Sequence, residues 1–534
     1  MAGVRHFLAL AASCGYETQF LGAAQPVEAI INAIHKTRPE MVALSYRLMP
    51  QALENLLERL SELLPAKERP KMVFGGTDEN CRIAEKTGMF DAAFGSGARE
   101  SDVLGYIRGE AHSKEESVPP GTLVERILAN APYPLIRHHF GQVTVDETVA
   151  GARRIAEAKV LDVLSLGPDQ NAQESFFRPE EMDPAQDGAG GVPIRTEADL
   201  ERIYQATRTG NYPLVRCYSG TRDITRMASV LKKTIDNAWA AVPLFWYNVL
   251  DRRSKRPLFE SIVEAQEAIR WHAENQIPVE VNDSHQWSLR SAPEPVAVAA
   301  FYLAAYNAKR CGVSNYIGQF MFNTPAGTLP HKDLAKMLAK ISLASELEDE
   351  SFRVWRQTRT GLASMPADQE EAIGHLCASI TIQLAIRPHI VHVVGYSEAS
   401  HAATAEDLIS SVKIGRGAIS SLIHGLPDAT KDPRVEERRD ELIAETRELL
   451  DAIRQLAPAG VSDPLADPRT LTRAVECGLM DAPDLAGNKP ALGQVRTEFI
   501  DGACVAVDES GHPIPERQRI ARCLEYAKRE LGIS

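Results

Sequence analysis

The first hundred residues alternate between helical and strand-like hydrophobic spacing. Apolar residues recur every three or four positions in VRHFLALAASCG, VEAIINAIHKT, ALENLLERLSELL and NCRIAEKTG, which predicts helices. Short apolar runs that predict strands separate them: ETQFLG, MVALSY, KMVFGG and AAFGSG. This alternation predicts a flavodoxin-like (Rossmann-like) α/β domain with a doubly wound parallel sheet over residues 1–109, followed by a polar linker over residues 110–130.

Short apolar runs also recur between helical segments from Tyr133 to His424. The eight candidate strands are YPLIR, VLDVLSL, YPLVRCY, AVPLFWY, IPVEVN, VSNYIGQ, SFRVWRQ and HIVHVVG. Eight parallel strands close a (β/α)8 barrel of the TIM type, which we predict over residues 131–425. The acidic helix RVEERRDELIAETRELLDAIRQLA and a Gly/Pro-rich tail predict a C-terminal cap over residues 426–534.

Composition excludes several classes of protein. The chain is 44% hydrophobic and 25% charged, and its apolar runs fall short of the roughly 18 residues of a membrane span, so we expect a soluble cytoplasmic protein. The net charge of −13 and the lack of a basic cluster argue against nucleic acid. Eight scattered cysteines without a CxxC pair suggest neither disulfides nor a zinc site.

The N-terminal domain resembles the cobalamin-binding domain shared by methionine synthase and the adenosylcobalamin mutases. A glycine pair after one strand is usually only a tight turn, but an ordered set of features is more specific. The set comprises GYETQFLG, Ser45 at a strand end, and the pairs Gly75–Gly76 and Gly95–Gly97. The resemblance implies a bound cobalamin whose nucleotide tail meets these residues at the carboxyl edge of the sheet.

The cobalt-ligating motif of that family, Asp-x-His-x-x-Gly, is absent. By resemblance its last glycine matches Gly3, so the histidine would fall just before Met1, and His6 lies too late to replace it. We therefore expect no metal ligand within these residues. The ligand is either encoded upstream, missing, or donated by a separate cobalamin-binding subunit.

The region after Tyr133 resembles the large, barrel-forming subunit of glutamate mutase (methylaspartate mutase). The similar stretches are FGQVTVDET, SGTRDITR, WYNV, VVGYSEA and ECGLMDAP. In that enzyme the cobalamin domain is a separate subunit, whereas here it is fused to the barrel. The resemblance implies an adenosylcobalamin-dependent mutase, a homodimer, in which an adenosyl radical abstracts hydrogen from a small substrate at the mouth of the barrel.

The family's site residues carry over only in part. Its three substrate-binding arginines match His139, Gln173 and Tyr218, and its glutamate matches Ala241. Its two tyrosines match Tyr247 and Asp251, and the Glu and Lys near the adenosyl group match Glu398 and Val394. We therefore expect the substrate to be a small acid other than glutamate.

The residues themselves suggest further contacts. Arg137 and Arg216 share a strand face with His139 and Tyr218, so they either bind a substrate carboxylate, or are exposed or paired with acidic neighbours. The cluster NDSHQW follows the fifth strand of the barrel, and a loop follows the fourth. From these we select His285 as a general acid, base or donor, and Gln286, Tyr247 and Asn248 as further site residues.

The remaining histidines give no metal spacing. His375, His389 and His424 are expected to be structural, whereas His392 and His401 flank Glu398 and could support it. Two other functions stay open. One is a corrinoid methyltransferase, although the zinc thiolates that often activate its substrate are not evident. The other is a non-catalytic, regulatory cobalamin-binding protein.

Overall fold

The structure is a computed structural model that describes residues 2–95, 98, 100–109, 118–218, 220–423 and 425–533. Gly97 and His424, both named above, lie outside the described residues, as does Ser219 at the start of SGTRDITR. The chain divides into two units, residues 1–117 and 118–534. In the described ranges no helix is both long and apolar enough to span a lipid bilayer.

The first unit is a three-stranded parallel sheet with helices on both faces. Phe94 at the end of the third strand contacts Tyr106 of the last helix edge-on, with ring centroids 5.9 Å apart. Met72, which points to the opposite face because side chains alternate along a strand, packs in a cluster with Ile30 and Leu60 of two other helices. The strands, in sheet order, are β1 (Met41–Tyr46), β2 (Lys71–Gly76) and β3 (Ala92–Phe94). The helices are α1 (Ala2–Ser13), α2 (Val27–Thr37), α3 (Pro50–Leu63), α4 (Asp78–Lys86) and α5 (Glu100–Ile107).

The strand predicted for ETQFLG is wrong. Residues 17–22 have no regular secondary structure, and the side chains of Phe20 and Leu21 are exposed. A strand exists only where a neighbour accepts and donates its backbone hydrogen bonds. This segment and β1 instead line a common cavity of about 890 Å³. Within the described residues this segment has no strand partner, so the apolar pattern predicted its contact with the cavity but not its secondary structure.

The second unit contains the eight predicted strands, all parallel. In chain order they are β4 (Leu135–Phe140), β5 (Val163–Leu166), β6 (Leu214–Cys217), β7 (Ala240–Val242), β8 (Val279–Val281), β9 (Asn315–Phe322), β10 (Arg353–Thr360) and β11 (Ile390–His392). Their order in the sheet is β6-β5-β4-β11-β10-β9-β8-β7. This is a nearly closed sheet that fits a TIM-like barrel.

The barrel is joined differently between β6 and β7. No ladder is formed there among the described residues, but the Ala238 amide donates to the Val215 carbonyl (2.9 Å). The Cys217 amide donates to the side chain of Asn237 (3.0 Å). One backbone bond and one side-chain bond therefore connect the two ends of the sheet.

Helices follow the strands and form the outer layer and the cap. They are α6 (Leu123–Asn130), α7 (Val145–Glu157), α8 (Gln170–Ser175), α9 (Glu197–Ala206), α10 (Ile224–Ile235), α11 (Leu258–Glu274), α12 (Asp283–Leu289), α13 (Glu294–Arg310), α14 (Pro330–Ser345), α15 (Gln369–Leu384), α16 (Ala405–Leu422), α17 (Pro433–Gln455), α18 (Pro468–Glu476) and α19 (Glu516–Glu530). The predicted linker ended at residue 130, but α6 belongs to the second unit, because Leu123 and Ile127 are buried against the barrel strands.

The cap contains a β-hairpin that the prediction of an irregular tail missed. Strands β12 (Arg496–Ile500) and β13 (Ala503–Val507) are antiparallel and are joined by Asp501 and Gly502. Both linking residues have positive φ, 49° and 75°, as in the two-residue turn that favours Asp-Gly. An Asp-Gly pair between two apolar runs is the sequence pattern that would have predicted this hairpin.

Candidate functional site

The barrel interior changes from apolar to polar along six of its eight strands. Side chains two residues apart on a strand point to the same side, so the inward positions can be followed upward from the amino end. A buried cluster near the amino ends takes one apolar side chain from each of these six strands, and the next inward position on each strand is polar. The series on six strands are Leu135, Arg137, His139; Val163, Ser165; Leu214, Arg216, Tyr218; Ile317, Gln319; Trp355, Gln357, Arg359; and Ile390, His392.

Four polar side chains from alternate strands form one layer, as is typical of such barrels. They are Arg137 on β4, Arg216 on β6, Glu280 on β8 and Gln357 on β10, all at most 1% exposed. Glu280 accepts hydrogen bonds from Gln357 (3.0 Å) and from the indole of Trp239 (2.9 Å). Its Oε2 lies 3.6 Å from Arg137 Nη1 and 3.8 Å from Arg216 Nη1. We call these four residues the charged layer.

Glu280 is held as a carboxylate by its surroundings. Burial would raise its pKa, but the two arginines, the indole and the Gln357 amide outweigh this effect and lower the pKa below the ordinary value of 4.5. One carboxylate therefore faces two buried guanidinium groups, and the charged layer has an excess of positive charge.

Arg137 is engaged within the barrel. Its Nε donates to Ser165 (2.6 Å), Nη1 to Gln357 (2.7 Å), and Nη2 lies 3.0 Å from His139 Nε2. Because a guanidinium only donates, His139 Nε2 accepts and its ring is neutral. Burial lowers the pKa of His139 well below its ordinary range, and Arg137 lowers it further. The acidic neighbour of Arg137 is Glu280, 3.6 Å from its Nη1, and a contact between Arg137 and a substrate carboxylate stays a prediction.

Arg216 is the opposite case. It is fully buried, yet none of its three side-chain nitrogens has a hydrogen-bond partner among the described residues. Its guanidinium lies over the rings of Trp239 and Tyr218, 4.9 and 5.0 Å from their centroids. A buried guanidinium without hydrogen bonds is costly, so the position suits a bound anion.

Arg359 was missed by the sequence analysis. It lies one inward step above Gln357 on β10, and its Nε is buried without a partner in the described part of the chain. The positive charge of Arg359 lowers the pKa of His139, His285 and His392, so it lies near all three. The alternation in RVWRQTRT was the available signal, but the predicted strand ended at Gln357.

Three aromatic rings pack together inside the barrel. The ring of His139 is stacked with Tyr218 (5.8 Å between centroids) and is 4.7 Å from His392. Burial lowers the pKa of His392 well below its ordinary range, and its Nδ1 has no partner among the described residues. The residues that matched two of the family's arginines, His139 and Tyr218, are thus brought together with the buried cations.

The cluster after the fifth barrel strand meets the loop after the fourth. The Tyr247 hydroxyl accepts from Asn282 Nδ2 (3.2 Å) and Gln286 Nε2 (3.3 Å). Gln286 Nε2 is also 3.1 Å from His285 Nε2. Tyr247 has a positive φ of 62°, an uncommon conformation for a residue other than glycine.

Asp283 and Asn248 hold this arrangement in place. Asp283 accepts from the backbone amides of Leu244 and Phe245 (2.5 and 2.6 Å), which ends β7 early and turns the chain. Burial raises the pKa of Asp283 to about 7 despite these bonds. Asn248 donates to the Phe245 carbonyl and to Ser261, and its oxygen accepts from the Leu250 amide. Its polar atoms are thus bonded within the protein, and its contact with substrate stays a prediction.

The other predicted site residues have local partners. Gln173 donates to the Pro168 carbonyl (2.8 Å), and Glu398 accepts from the Gly395 amide (3.0 Å). Glu398 lies 3.6 Å from His138. Of the two histidines that the sequence suggested beside Glu398, His401 contacts Asp407 and His392 packs on His139. The two expected structural histidines bond locally, His375 to Ser364 and His389 to the Arg356 amide.

The first unit contains a cavity, whereas the second unit contains buried charged side chains. Ser45 and Gly75 are paired in register at the carboxyl ends of β1 and β2. Ser45 lines the 890 Å³ cavity, and a Cβ on Gly75 would meet nothing within 4 Å. Gly76 and Gly95 have a packing role, since a Cβ there would lie 2.6 Å from the Tyr46 carbonyl and 2.4 Å from Asp78. Gly3 lies in α1, where a Cβ would be 3.8 Å from Arg47.

Comparison with known proteins identifies the first unit. Residues 2–104 match the B12 binding domain family, so cobalamin is the cofactor of this chain. The small residues Ser45 and Gly75 beside the cavity fit a bulky ligand tail. Among the described residues no group of three or more His, Cys, Asp or Glu side chains could hold a metal ion.

Nothing comparable identifies the second unit. No curated protein matches the chain. Among solved structures, a truncated form of 3-deoxy-D-arabino-heptulosonate 7-phosphate synthase from Thermotoga maritima is similar at 12% identity, covering 55% of this chain and 88% of that one, with a TM-score of 0.32. Values this low do not bear on function.

Proposed function

On the premise that residues 2–104 form a B12-binding domain, we propose that this chain is an adenosylcobalamin-dependent radical isomerase. Its barrel binds a small organic acid other than glutamate. The observation that carries the proposal is Arg216, a fully buried guanidinium whose nitrogens have no hydrogen-bond partner in the described structure. A carboxylate bound there would restore those bonds.

The charge balance of the barrel favours an anion. The charged layer and Arg359 together carry three positive charges and one negative charge, because Glu280 is the carboxylate between Arg137 and Arg216. The neighbouring histidines do not change this balance, since burial lowers the pKa of His139, His285 and His392 well below the ordinary range. A carboxylate near Arg216 and Arg359 would therefore be attracted in a region of low dielectric constant.

When bound, adenosylcobalamin supplies an organic radical through homolysis of its cobalt–carbon bond. The chain's own residues orient the acid and exclude water. Ser45 and Gly75 would accommodate the cofactor's tail, Arg216 would bind the acid's carboxylate, and Tyr218 and His139 would enclose it. The buried, water-excluding surroundings of these side chains suit a reactive intermediate that must not meet solvent.

The test is a titration of the full chain with adenosylcobalamin, followed by low-temperature electron paramagnetic resonance in the presence of a panel of small carboxylic acids. We expect an acid-dependent paramagnetic signal. Arg216→Met should bind cobalamin normally but lose the signal, whereas Arg270→Met, which removes an exposed arginine on α11, should keep it. Methyl transfer from methylcobalamin without any signal would instead indicate a methyltransferase. Cobalamin binding with neither activity would indicate a regulatory protein.

A further inference from the structure

Hydrogen bonds connect Tyr247, His285, Gln286 and Arg290 into one polar cluster. We infer that Arg290 and Gln286 fix the proton positions of His285 and Tyr247, so that both present hydrogen-bond donors to an oxygen atom of the bound acid. Arg290 and Gln286 are then positioning residues. The part of this inference that concerns the acid rests on the proposed function, whereas the proton positions do not.

The first step is the orientation of the Gln286 amide. Arg290 Nη1 lies 2.8 Å from Gln286 Oε1 and 3.0 Å from the Gln286 carbonyl. Its guanidinium also lies over the ring of Trp246, 4.0 Å from the centroid. A guanidinium only donates, so the atom that it meets must be the amide oxygen. The amide nitrogen therefore points away from Arg290.

The second step follows from that nitrogen. Gln286 Nε2 lies 3.1 Å from His285 Nε2 and 3.3 Å from the Tyr247 hydroxyl. An amide nitrogen only donates, so both atoms must accept. A ring nitrogen that accepts carries no proton, and the proton of the neutral imidazole is then on Nδ1. Burial lowers the pKa of His285 well below its ordinary range, with Arg359, Lys340 and Arg290 adding to the effect, so the ring is neutral.

The third step concerns where the protons point. His285 Nδ1 is buried and has no hydrogen-bond partner among the described residues. The Tyr247 oxygen accepts from Gln286 and from Asn282 (3.2 Å), which leaves its own proton without an acceptor in these contacts. Burial raises the pKa of Tyr247, so the proton stays in place. Two buried donors without acceptors are costly unless a ligand supplies an oxygen.

A purely structural cluster would look different. A histidine that only fills the core normally uses its proton within the protein, as His272 does when its Nδ1 donates to the Ala268 carbonyl (2.7 Å) and only its acceptor nitrogen lacks a partner among the described residues. In His285 the acceptor nitrogen is the bonded one, and the N–H is the group without a partner in the described structure. The fixed tautomer is therefore useful only if something else accepts from Nδ1.

The experiment is nitrogen-15 NMR of the full chain labelled at histidine, with the His285 signals assigned by their absence in His285→Gln. In the wild type we expect Nδ1 protonated and Nε2 unprotonated. Gln286→Glu replaces the donor with an acceptor that still pairs with Arg290, so His285 should change to the Nε2-protonated tautomer. Arg290→Met frees the amide to rotate, and both tautomers should be populated.

The matched control is Arg253→Met. Arg253 lies over the Tyr247 ring, 4.7 Å from its centroid, but has no hydrogen bond to Gln286 in the described structure, so the tautomer should be unchanged. A wild type with Nε2 protonated, or a Gln286→Glu variant with unchanged signals, would overturn the inference. If Gln286→Glu does not fold, Arg290→Met decides, and a single unchanged tautomer there would equally overturn it.

A second arm separates this inference from the proposed function. The acid that gives a paramagnetic signal is added to the labelled chain, and the Nδ1 signal of His285 should shift. If no acid gives a paramagnetic signal, the proposed function fails while the tautomer result stands or falls by itself. If an acid gives a signal that requires Arg216 but leaves His285 Nδ1 unmoved, the contact between His285 and the acid is wrong.

Discussion

The two ends of the barrel are built from the same strands, but they differ in whether their buried polar atoms have hydrogen-bond partners. At the amino end, Leu135, Val163 and Ile317 pack with Trp239 and with α6 into an apolar cluster whose polar side-chain atoms are two indole nitrogens, both of which donate hydrogen bonds. Two residues further along these strands lie buried polar side chains such as Arg137 and Gln357, which contact Glu280 of β8. Packing alone accounts for the first end, which we call the floor.

Packing alone does not account for the other end, the mouth of the barrel. Arg216, Gln319 and His392 all have buried polar atoms without partners in the described structure, whereas such atoms are rare in native interiors. The difference supports the proposed ligand site: among the described residues the side chains of the floor have no unpartnered polar atom, whereas several side chains of the mouth do. Each of the following changes tests that contrast.

The largest effect is expected from Glu280→Gln. This variant keeps the shape of the side chain but removes the carboxylate between Arg137 and Arg216, and leaving buried charges unpaired costs about 4 kcal/mol. Chemical denaturation followed by tryptophan fluorescence measures the loss. The control Glu267→Gln removes an exposed carboxylate on α11 and should change stability by less than about 0.5 kcal/mol. Equal stabilities of the two variants would contradict the charged layer.

A slightly smaller effect is expected at the floor. Ile317→Ala removes a fully buried side chain on β9 and should lower the free energy of unfolding by about 3 kcal/mol. Because the floor is complete without ligand, the acid-dependent paramagnetic signal should remain at temperatures where the variant is folded. Loss of that signal from a folded variant would show that the two ends are not independent.

The effect of Glu280 on stability should depend on pH. The pKa of Glu280 is lowered in the folded protein from its ordinary value of 4.5, so its contribution is complete above that value. The contribution disappears as the pH falls through the lowered pKa, when the folded form also becomes protonated. The difference in stability between the wild type and Glu280→Gln should therefore narrow below pH 4.5. A difference that widens there would mean that the pKa is raised instead.

The smallest effect on stability is expected from Arg216→Met. The variant removes a buried charge that has no hydrogen bond within the described residues and replaces it with an apolar chain of similar length. Glu280 keeps Arg137 as its partner and the repulsion between the two guanidinium groups is removed, so we expect a change within about 1 kcal/mol, although binding of the acid is lost. Thermal unfolding with and without the acid provides the measurement. A loss of several kcal/mol would instead indicate a structural role for Arg216.

The fold was more predictable than the site. Eight barrel strands, the helix α17 and most elements of the first unit follow from hydrophobic periodicity, which records burial directly. The strand at ETQFLG was wrong because periodicity does not reveal whether a partner strand is present. Spacing placed Arg216 inside the barrel correctly, but it could not tell Arg216 from Arg137, because only the structure shows which guanidinium already has Ser165 and Gln357 as partners.

Site residues from separate strands were the hardest to predict. Arg359 was missed because a strand end is uncertain by a few residues in sequence, and Arg290 because its role depends on the orientation of one amide. Asn248 was chosen for its position after the fourth barrel strand, but its bonds to Phe245 and Ser261 show that position alone does not distinguish a ligand contact from a loop contact.

The junction between β6 and β7 has a consequence for the slow motions of the barrel. Strands β9 and β10 pair over eight residues, whereas the ends of the sheet are joined by the Ala238 and Cys217 amides alone among the described bonds. Local opening at this junction should be more frequent, so these two amides should exchange hydrogen for deuterium sooner than those of β9. Since Arg216 is on β6, such openings would transiently hydrate this guanidinium and allow anions to reach it.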